Sequence, residues 1–122
     1  MIEENTIFKI NKEISSNEKK IIHLKNKLKR KNIDLSKKII GNSIKYFDTY
    51  IKVSNSKIIH DDIFITGIII TNRKYKDIIT YEVSNDSSFV ISKNETLNIK
   101  HITNSEFNKY FEYVIEQIRL KI

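Results

Sequence analysis

The first third of the chain places apolar residues at alternating intervals of three and four. This spacing puts the side chains along one stripe of a helix and is the heptad pattern of a coiled coil. The stripe consists of Ile7, Ile10, Ile14, Ile21, Leu24, Leu28 and Leu35, with Asn17 and Lys31 at the two positions between them. It predicts a helix from about residue 3 to residue 31. Because Asn32 and Asp34 favour turns, we expect the seam to end near Lys31.

Charged residues beside this seam indicate how two copies would pair. A parallel dimer in register would pair Glu13 with Glu18 and Lys20 with Lys25, both like-charge contacts. An antiparallel dimer places the acidic first half of the helix beside the basic second half, so we expect an antiparallel homodimer. Packing of the helix along its own domain and docking onto a different protein remain alternatives. The predicted dimer seam is Ile7, Ile10, Ile14, Asn17, Ile21, Leu24 and Leu28, in which Asn17 would help to fix the register.

Beyond residue 38 the hydrophobic pattern changes to short runs rich in Ile, Tyr, Phe, Val and Thr, which are typical of strands. A turn at residues 39–42 separates the two patterns. Strands are predicted at 44–53, 57–60, 63–71, 77–84, 88–92 and 97–102, with turns at 54–56, 61–62, 72–74, 85–87 and 93–95. Connections this short form an antiparallel meander or a strongly bent sheet, such as an SH3-like half-barrel. We expect Gly67, inside the central strand, to mark a bulge or bend.

The last predicted element is a helix over residues 104–120. Thr103 with Glu106 three residues later forms a capping box at its start. Its apolar face consists of Phe107, Phe111, Val114, Ile115, Ile118 and Ile122, and we expect this face to close the barrel as core. The fold class is therefore α+β, with a basic coiled-coil arm at 1–38 and an antiparallel β domain at 39–122.

Positive charge is concentrated on the arm. Residues 1–38 hold 11 Lys and Arg against five acids, or +6, whereas the remaining 84 residues hold 11 against 10, or +1. A basic stretch of this density can bind phosphates or an acidic protein surface. The candidate binding residues are Lys19, Lys20, Lys25, Lys27, Lys29, Arg30, Lys31, Lys37 and Lys38. The run holds one Arg and no Asn or Gln cluster, which favours contacts to a nucleic-acid backbone over base readout.

A solvated helix face is the alternative to a binding site, because the whole composition is skewed. The chain holds 26 Ile and 19 Lys and no Ala, as expected from an AT-rich genome. In such a chain a neutral surface position often becomes Lys.

No catalytic or metal-binding pattern is present. The chain has no Cys, which excludes disulfides, thiolate nucleophiles and Cys-based zinc sites. Its histidines, His23, His60 and His101, have no metal-ligand spacing, and we interpret His60-Asp61-Asp62 as a tight hairpin turn. We therefore expect no catalytic residue, no metal and no cofactor, and a protein that is not an enzyme. The chain shows no secretion signal and no apolar run of membrane-spanning length, so we expect a cytoplasmic location and no membrane partner.

The layout resembles a known group of proteins. A basic coiled-coil helix is followed by Ile-Ile-Gly-Asn-Ser-Ile-Lys-Tyr-Phe at 39–47, an Ile-rich meander, and Thr-Asn-Ser-Glu-Phe-Asn-Lys-Tyr-Phe at 103–111. This is similar to small proteins of phages and prophages in AT-rich bacteria, including anti-CRISPR and other anti-defence proteins. The resemblance implies a non-enzymatic inhibitor that binds a host RNA-guided effector, its guide RNA, or both. Two alternatives stay open: a nucleic-acid-binding accessory protein of phage replication or transcription, and a structural coiled-coil assembly protein.

Overall fold

The structure, a computed structural model, describes the backbone of residues 2–122 and the side chains of residues 5–122. Its elements are helix α1 (Ile2–Lys38), strands β1 (Ser43–Tyr46), β2 (Thr49–Ile59), β3 (Asp62–Tyr75) and β4 (Ile78–Ile91), a 3₁₀ helix (Thr96–Asn98), strand β5 (Ile99–Ile102) and helix α2 (Asn104–Leu120). The strands form one antiparallel sheet in the order β4-β3-β2-β1-β5. The predicted α+β architecture, with a long first helix and a closing second helix, is confirmed.

The chain divides into two compact units between Lys31 and Asn32. The first unit contains only the part of α1 up to Lys31. The second unit, Asn32–Ile122, contains the last turns of α1, the whole sheet and α2. Each unit has its own surface.

Helix α1 continues seven residues past the predicted end because its last turns have partners in the second unit. The Asn32 side chain is buried; its Nδ2 donates to the carbonyl of Lys93 at 3.1 Å and its Oδ1 accepts from the Thr96 hydroxyl at 2.9 Å. Ser36, also buried, shares a 2.6 Å hydrogen bond with Ser56. These bonds, made to residues far away in the sequence, outweigh the local turn preference of Asn32 and Asp34.

The predicted turn after α1 is confirmed. Gly41 has a φ of +79°, which a residue without a Cβ adopts at little cost, and its N–H donates to the carbonyl of Val53 at 2.9 Å. The Asn42 side chain donates to the carbonyl of Lys38 at 2.8 Å and so satisfies one of the last helical carbonyls. The chain then enters β1.

The sheet has five strands where the sequence predicted six, and β2, β3 and β4 each continue through a predicted turn. The predicted strand 44–53 is two strands, because the chain reverses between Tyr46 and Thr49. The predicted turns at 54–56, 72–74 and 85–87 are wrong, since all three segments lie inside strands. The predicted hairpin turn at His60-Asp61-Asp62 is confirmed: His60 and Asp61 have φ values of +51° and +68°, which suit a two-residue hairpin connection.

Two irregularities account for the polar segments that were taken as turns. The β2–β3 register shifts between Val53 and Asn55, where the Ser54 hydroxyl donates to the carbonyl of Thr66 at 2.9 Å. The β3–β4 register shifts between Gly67 and Ile69, opposite the segment that contains Asp86, whose φ is +52°. An irregularity beside Gly67 is therefore confirmed, but its extra residue lies on β4, where Asn85 and Asp86 lie opposite the single residue Ile68.

Each face of the sheet carries a hydrophobic cluster. The first cluster combines alternate residues of all five strands with Leu35 and Ile39 from the end of α1. The second cluster lies between the opposite face of the sheet and α2, around Ile70, Phe107 and Val114. The alternation along β3 separates the two clusters, since Ile69 belongs to the first and Ile70 to the second.

Helix α2 begins as predicted, with the Thr103 hydroxyl accepting from the backbone N–H of Glu106 at 3.0 Å. Phe107 and Val114 are buried, which confirms the predicted core face. One member of that face was wrong: Ile122 lies beyond the end of the helix and is fully exposed. The face packs on one side of the sheet. The strand order makes β4 and β5 the two edge strands.

Candidate functional site on the N-terminal helix

The candidate site is the surface of α1 within the first unit. The segment from Asn5 to Lys31 contains no Gly or Pro and forms regular helix throughout. Helical geometry rotates each successive residue by about 100°, so the side chains divide into faces that can be read directly from their numbers. Two of these faces differ sharply in chemistry.

The first face is the apolar seam. The seven predicted seam residues fall within an arc of about 100° on the helix. All are exposed in this unit; the exposed fraction ranges from 37% for Leu28 to 62% for Leu24. Asn17 is also exposed. These side chains are therefore covered only by their own helix.

The second face, here called the basic face, begins on the side of the helix away from the seam and reaches the edge of the seam at Lys20 and Lys31. It spans about 120° of the helix surface. Its cations are Lys9, Lys12, Lys19, Lys20, Lys27, Arg30 and Lys31, and all are exposed. Glu13 lies at its edge and is its only acid among the described side chains of the first unit. Cations with so few counter-charges attract an anionic partner.

The structure brings five of the nine predicted binding residues together on this face and separates the other four. Lys25 and Lys29 project on the side of the helix that flanks the seam. Lys37 and Lys38 are exposed in the last turn of α1, which belongs to the second unit. Lys9 and Lys12, which were not among the predicted binding residues, complete the basic face. Their helical spacing from Lys19 and Lys20 is the sequence signal that could have identified them.

The acidic and histidine side chains described in the second unit do not form a metal-ligand group. Asp62 accepts a 2.9 Å hydrogen bond from the backbone N–H of Lys93, which gives this carboxylate a structural partner. His60 and His101 are exposed. Within residues 5–122 no three His, Asp or Glu side chains are grouped as metal ligands would be.

A cluster of tyrosines between the sheet and α2 was not predicted. Tyr50 and Tyr110 stack with ring centroids 3.9 Å apart, and Tyr113 lies 6.4 Å from Tyr110 and 6.2 Å from Tyr81. The Asn72 side chain donates to the hydroxyl of Tyr110 at 3.3 Å. The spacing of Tyr110 and Tyr113 by three residues on one helix was the available sequence signal.

The environment of these tyrosines disfavours the phenolate. Burial raises the pKa of Tyr81, and contact with Tyr113 raises it further. Burial also raises the pKa of Tyr110, against the hydrogen bond from Asn72, which lowers it. At the opposite side of the sheet, the hydrogen bond to Glu95 raises the pKa of Tyr46. At all three positions the folded chain therefore favours the protonated phenol.

An apolar groove lies beside the tyrosines, where the start of β4 meets the end of α2. It has a volume of about 360 Å³, and its lining residues include Ile78, Tyr81 and Ile118. The ammonium group of Lys121 donates to the backbone carbonyl of Ile79 on the edge strand. This contact covers one of the edge groups that could otherwise pair with another strand.

Comparisons with protein-family models, with curated proteins and with solved structures find no match to this chain. Across the described residues, no helix is both long enough and apolar enough to pass through a membrane.

Proposed function

We propose that this is a non-enzymatic binding protein of a phage or other mobile element, and that the basic face of α1 holds a polyanionic partner. The observation that carries this proposal is the arrangement of seven exposed cations and one acid on a single helix face. A regular row of cations on a rigid helix suits phosphates that follow one another along a nucleic acid. Its dominance by lysine suits contacts to the backbone more than bidentate contacts to bases.

The proposed partner is a host RNA-guided effector with its guide RNA, which would make the protein an anti-CRISPR inhibitor acting in the bacterial cytoplasm. The resemblance in layout supports this choice, and so does the sign of the charge. A protein with net charge +7 suits a guide RNA or an acidic protein face rather than a site that normally receives DNA.

The first test is capture from a bacterial lysate by the tagged protein, with and without nuclease. A ribonucleoprotein effector recovered in both samples, and inhibited when the pure protein is added, is the expected result. Capture of nucleic acid that disappears with nuclease, and without any effector, would contradict the inhibitor proposal.

The variant that tests the basic face replaces Lys19, Lys20, Lys27 and Arg30 with Gln. We expect partner binding to weaken at least tenfold at physiological salt while the helical signal in circular dichroism is retained. The matched control replaces Lys57, Lys74, Lys100 and Lys109 with Gln, which removes the same charge from exposed positions of the second unit. If both variants weaken binding equally, net charge rather than the basic face is responsible.

The same face also supports a second function, that of a nucleic-acid-binding accessory protein of phage replication or transcription. Salt titration separates the two functions. Direct binding to duplex DNA should weaken with log[salt] at a slope of about −0.9 per neutralised phosphate, and the basic-face variant should lower that slope by about 3 to 4. Tight binding to pure effector with a shallow salt slope would exclude this alternative.

The exposed seam favours a third function, that of a structural assembly protein. Such a protein would form large oligomers that grow with concentration and would bind neither nucleic acid nor effector. Light scattering across a hundredfold range of concentration measures this directly. A species of small, constant size would contradict an assembly role.

We also propose a finer description of the second unit, as an SH3-like half-barrel. The strand order, the 3₁₀ helix before β5 and the first hydrophobic cluster support it, since this cluster joins Ile91 at the end of β4 with Ile99 at the start of β5. Nuclear Overhauser contacts between the Ile91 and Ile99 side chains would be expected in solution. Their absence would favour an open sheet.

A further inference from the structure

Among the described residues of the first unit, none covers the apolar seam. Helices in water gain most of their stability from packing an apolar face rather than from intrinsic propensity. The seam residues from Ile7 to Leu28 are between 37% and 62% exposed, and the part of the chain up to Lys31 forms a unit of its own. A surface of this kind, repeated at heptad intervals, is suited to another helix with the same repeat.

We propose that a second copy of α1 covers the seam, running antiparallel, with each seam residue from Ile7 to Leu24 facing the seam residue whose number brings the sum to 31. In an antiparallel coiled coil, the first apolar position of one heptad faces the second apolar position of the other chain. Ile7 then faces Leu24 of the second copy, Ile10 faces Ile21, and Ile14 faces Asn17. The two-fold axis repeats each contact, which gives six layers, four of them wholly apolar. This inference does not depend on the proposed partner of the basic face.

Charge complementarity favours this register over its competitors. The flanking positions of the two copies place Glu13 opposite Lys20, once on each side of the two-fold axis. A parallel dimer instead faces Glu13 with Glu18. An antiparallel dimer shifted by one heptad to a seam sum of 38 faces Lys20 with Lys20 and Glu18 with Glu18. A shift in the other direction, to a sum of 24, faces Glu13 with Glu13. The sum of 31 is therefore the register in which the central charges attract one another.

Asn17 supports the same register. The two Asn17 side chains lie in neighbouring layers on opposite helices, about 4.5 Å apart along the axis. At that separation their amide groups can hydrogen-bond to each other inside the seam. A polar pair of this kind near the centre of an apolar seam disfavours shifted registers, because a shift by one heptad increases the axial distance between the two amides to about 6 Å in one direction and about 15 Å in the other.

The proposed dimer leaves most of the basic face free. Of its cations, Lys20 lies beside the seam and pairs with Glu13 of the second copy, whereas Lys12, Lys19 and Arg30 point away from the interface. The segment from Lys25 to Lys31 extends past Ile7 of the second copy. The dimer therefore presents two basic segments that point in opposite directions along the first unit, and partner binding uses cations that self-association does not involve.

Disulfide trapping tests the register directly, since the natural chain has no Cys. The variant Ile10→Cys/Ile21→Cys should oxidise to a covalent dimer in which peptide mapping finds position 10 linked to position 21. A link within one helix is impossible, because eleven residues of helix separate the two positions by about 16.5 Å. The control Lys12→Cys/Lys19→Cys has the same sum of 31 but lies outside the seam, and it should remain unlinked.

Other linkage patterns would overturn the proposal. Links of 10 to 10 and 21 to 21 would mean a parallel dimer. Equal linking of the seam variant and the control would mean random collision. Sedimentation equilibrium of the natural chain at about 100 μM measures whether a weak dimer forms. A monomer at that concentration, together with no disulfide linking in the seam variant, would mean that no second copy covers the seam.

A charge reversal tests the same register without cysteines. Lys20→Glu places two carboxylates opposite each other in the antiparallel dimer and should raise its dissociation constant about tenfold. In a parallel dimer the same substitution would oppose Lys25 and strengthen association. Lys19→Glu is the matched control, since it makes the same charge change one residue away on the outer face and should leave the dissociation constant unchanged. Circular dichroism establishes that both variants keep their helix.

Discussion

At the scale of single residues, Gly67 is the position with the least tolerance for a side chain. A Cβ placed there would lie 2.0 Å from the backbone carbonyl oxygen of Lys52 on the neighbouring strand. That oxygen belongs to the β2–β3 ladder and cannot move without disturbing the pairing. Gly41 differs, because its φ of +79° is unusual but no atom lies within 4 Å of an added Cβ.

We predict that Gly67→Ala destabilises the protein by about 3 kcal/mol, as an overpacked core position does. Gly41→Ala should cost only about 1 kcal/mol, the strain of a left-handed backbone conformation. Urea unfolding followed by circular dichroism measures both. An equal loss at the two positions would mean that the contact with Lys52 relaxes easily.

The half-buried tyrosines Tyr81 and Tyr110 predict a loss of stability in alkaline solution. Since burial raises the pKa of Tyr81 and Tyr110 in the folded chain, folding favours their protonated forms. Their contribution is fully present below the unfolded pKa of about 10 and is lost as the pH rises through the higher folded values. The free energy of unfolding should therefore decrease above about pH 10.

Tyr81→Phe/Tyr110→Phe should reduce this alkaline decrease. The near-ultraviolet absorbance of the phenolate form follows the titration of the remaining tyrosines. An unchanged decrease in the double variant would assign the alkaline transition to other groups, such as Tyr46 with its hydrogen bond to Glu95.

At the scale of elements, the end of α1 is determined by side-chain hydrogen bonds to the segment before β5. Asn32 is 4% exposed and bridges the carbonyl of Lys93 and the hydroxyl of Thr96. These partners lie 61 and 64 residues away in sequence. Their burial makes the loss of either bond costly, because an unpaired polar atom would remain away from water.

We predict that Asn32→Ala destabilises the second unit by about 2 kcal/mol, even though Ala is the better helix former. Asn26→Ala is the matched control, since Asn26 is an exposed helical Asn in the first unit, and it should have an effect of less than about 0.5 kcal/mol. Thermal unfolding measured on both variants would distinguish them. A stabilising effect of Asn32→Ala would mean that helix propensity outweighs the buried bonds.

At the scale of the whole molecule, the two compact units predict that association and folding can be changed separately. We predict that Ile21→Asp/Leu24→Asp abolishes self-association, because each substitution places a charge in the seam. The unfolding midpoint of the second unit, followed by near-ultraviolet tyrosine dichroism, should change by less than about 2 °C.

Sedimentation equilibrium measures the association itself. A wild-type chain that is already monomeric at micromolar concentration would contradict the premise. A large fall in the unfolding midpoint of the variant would show instead that the seam residues stabilise the second unit.

What the sequence alone determined about this protein is local. The seam of α1, the capping box at Thr103 and the hairpin turn at His60-Asp61 follow from the preferences and periodicity of neighbouring residues. The cations of the basic face could also be assigned from helical periodicity, once the helix is accepted. For these features, adjacent residues carry all the necessary information.

The tertiary structure alone decided the features that depend on distant partners. Polar segments such as 54–56 and 85–87 have the composition of turns, yet they lie inside strands. Each contains a register shift, and the neighbouring strand pairs with the chain on both sides of that shift. Asn32 resembles a helix terminator, yet it lies inside α1 because Thr96 and Lys93 satisfy its side chain. Helix propensity differs among ordinary residues by at most about 0.7 kcal/mol. Leaving a buried donor or acceptor without its hydrogen bond costs about 1 to 3 kcal/mol. Where the two conflict, the distant contact therefore determines the structure.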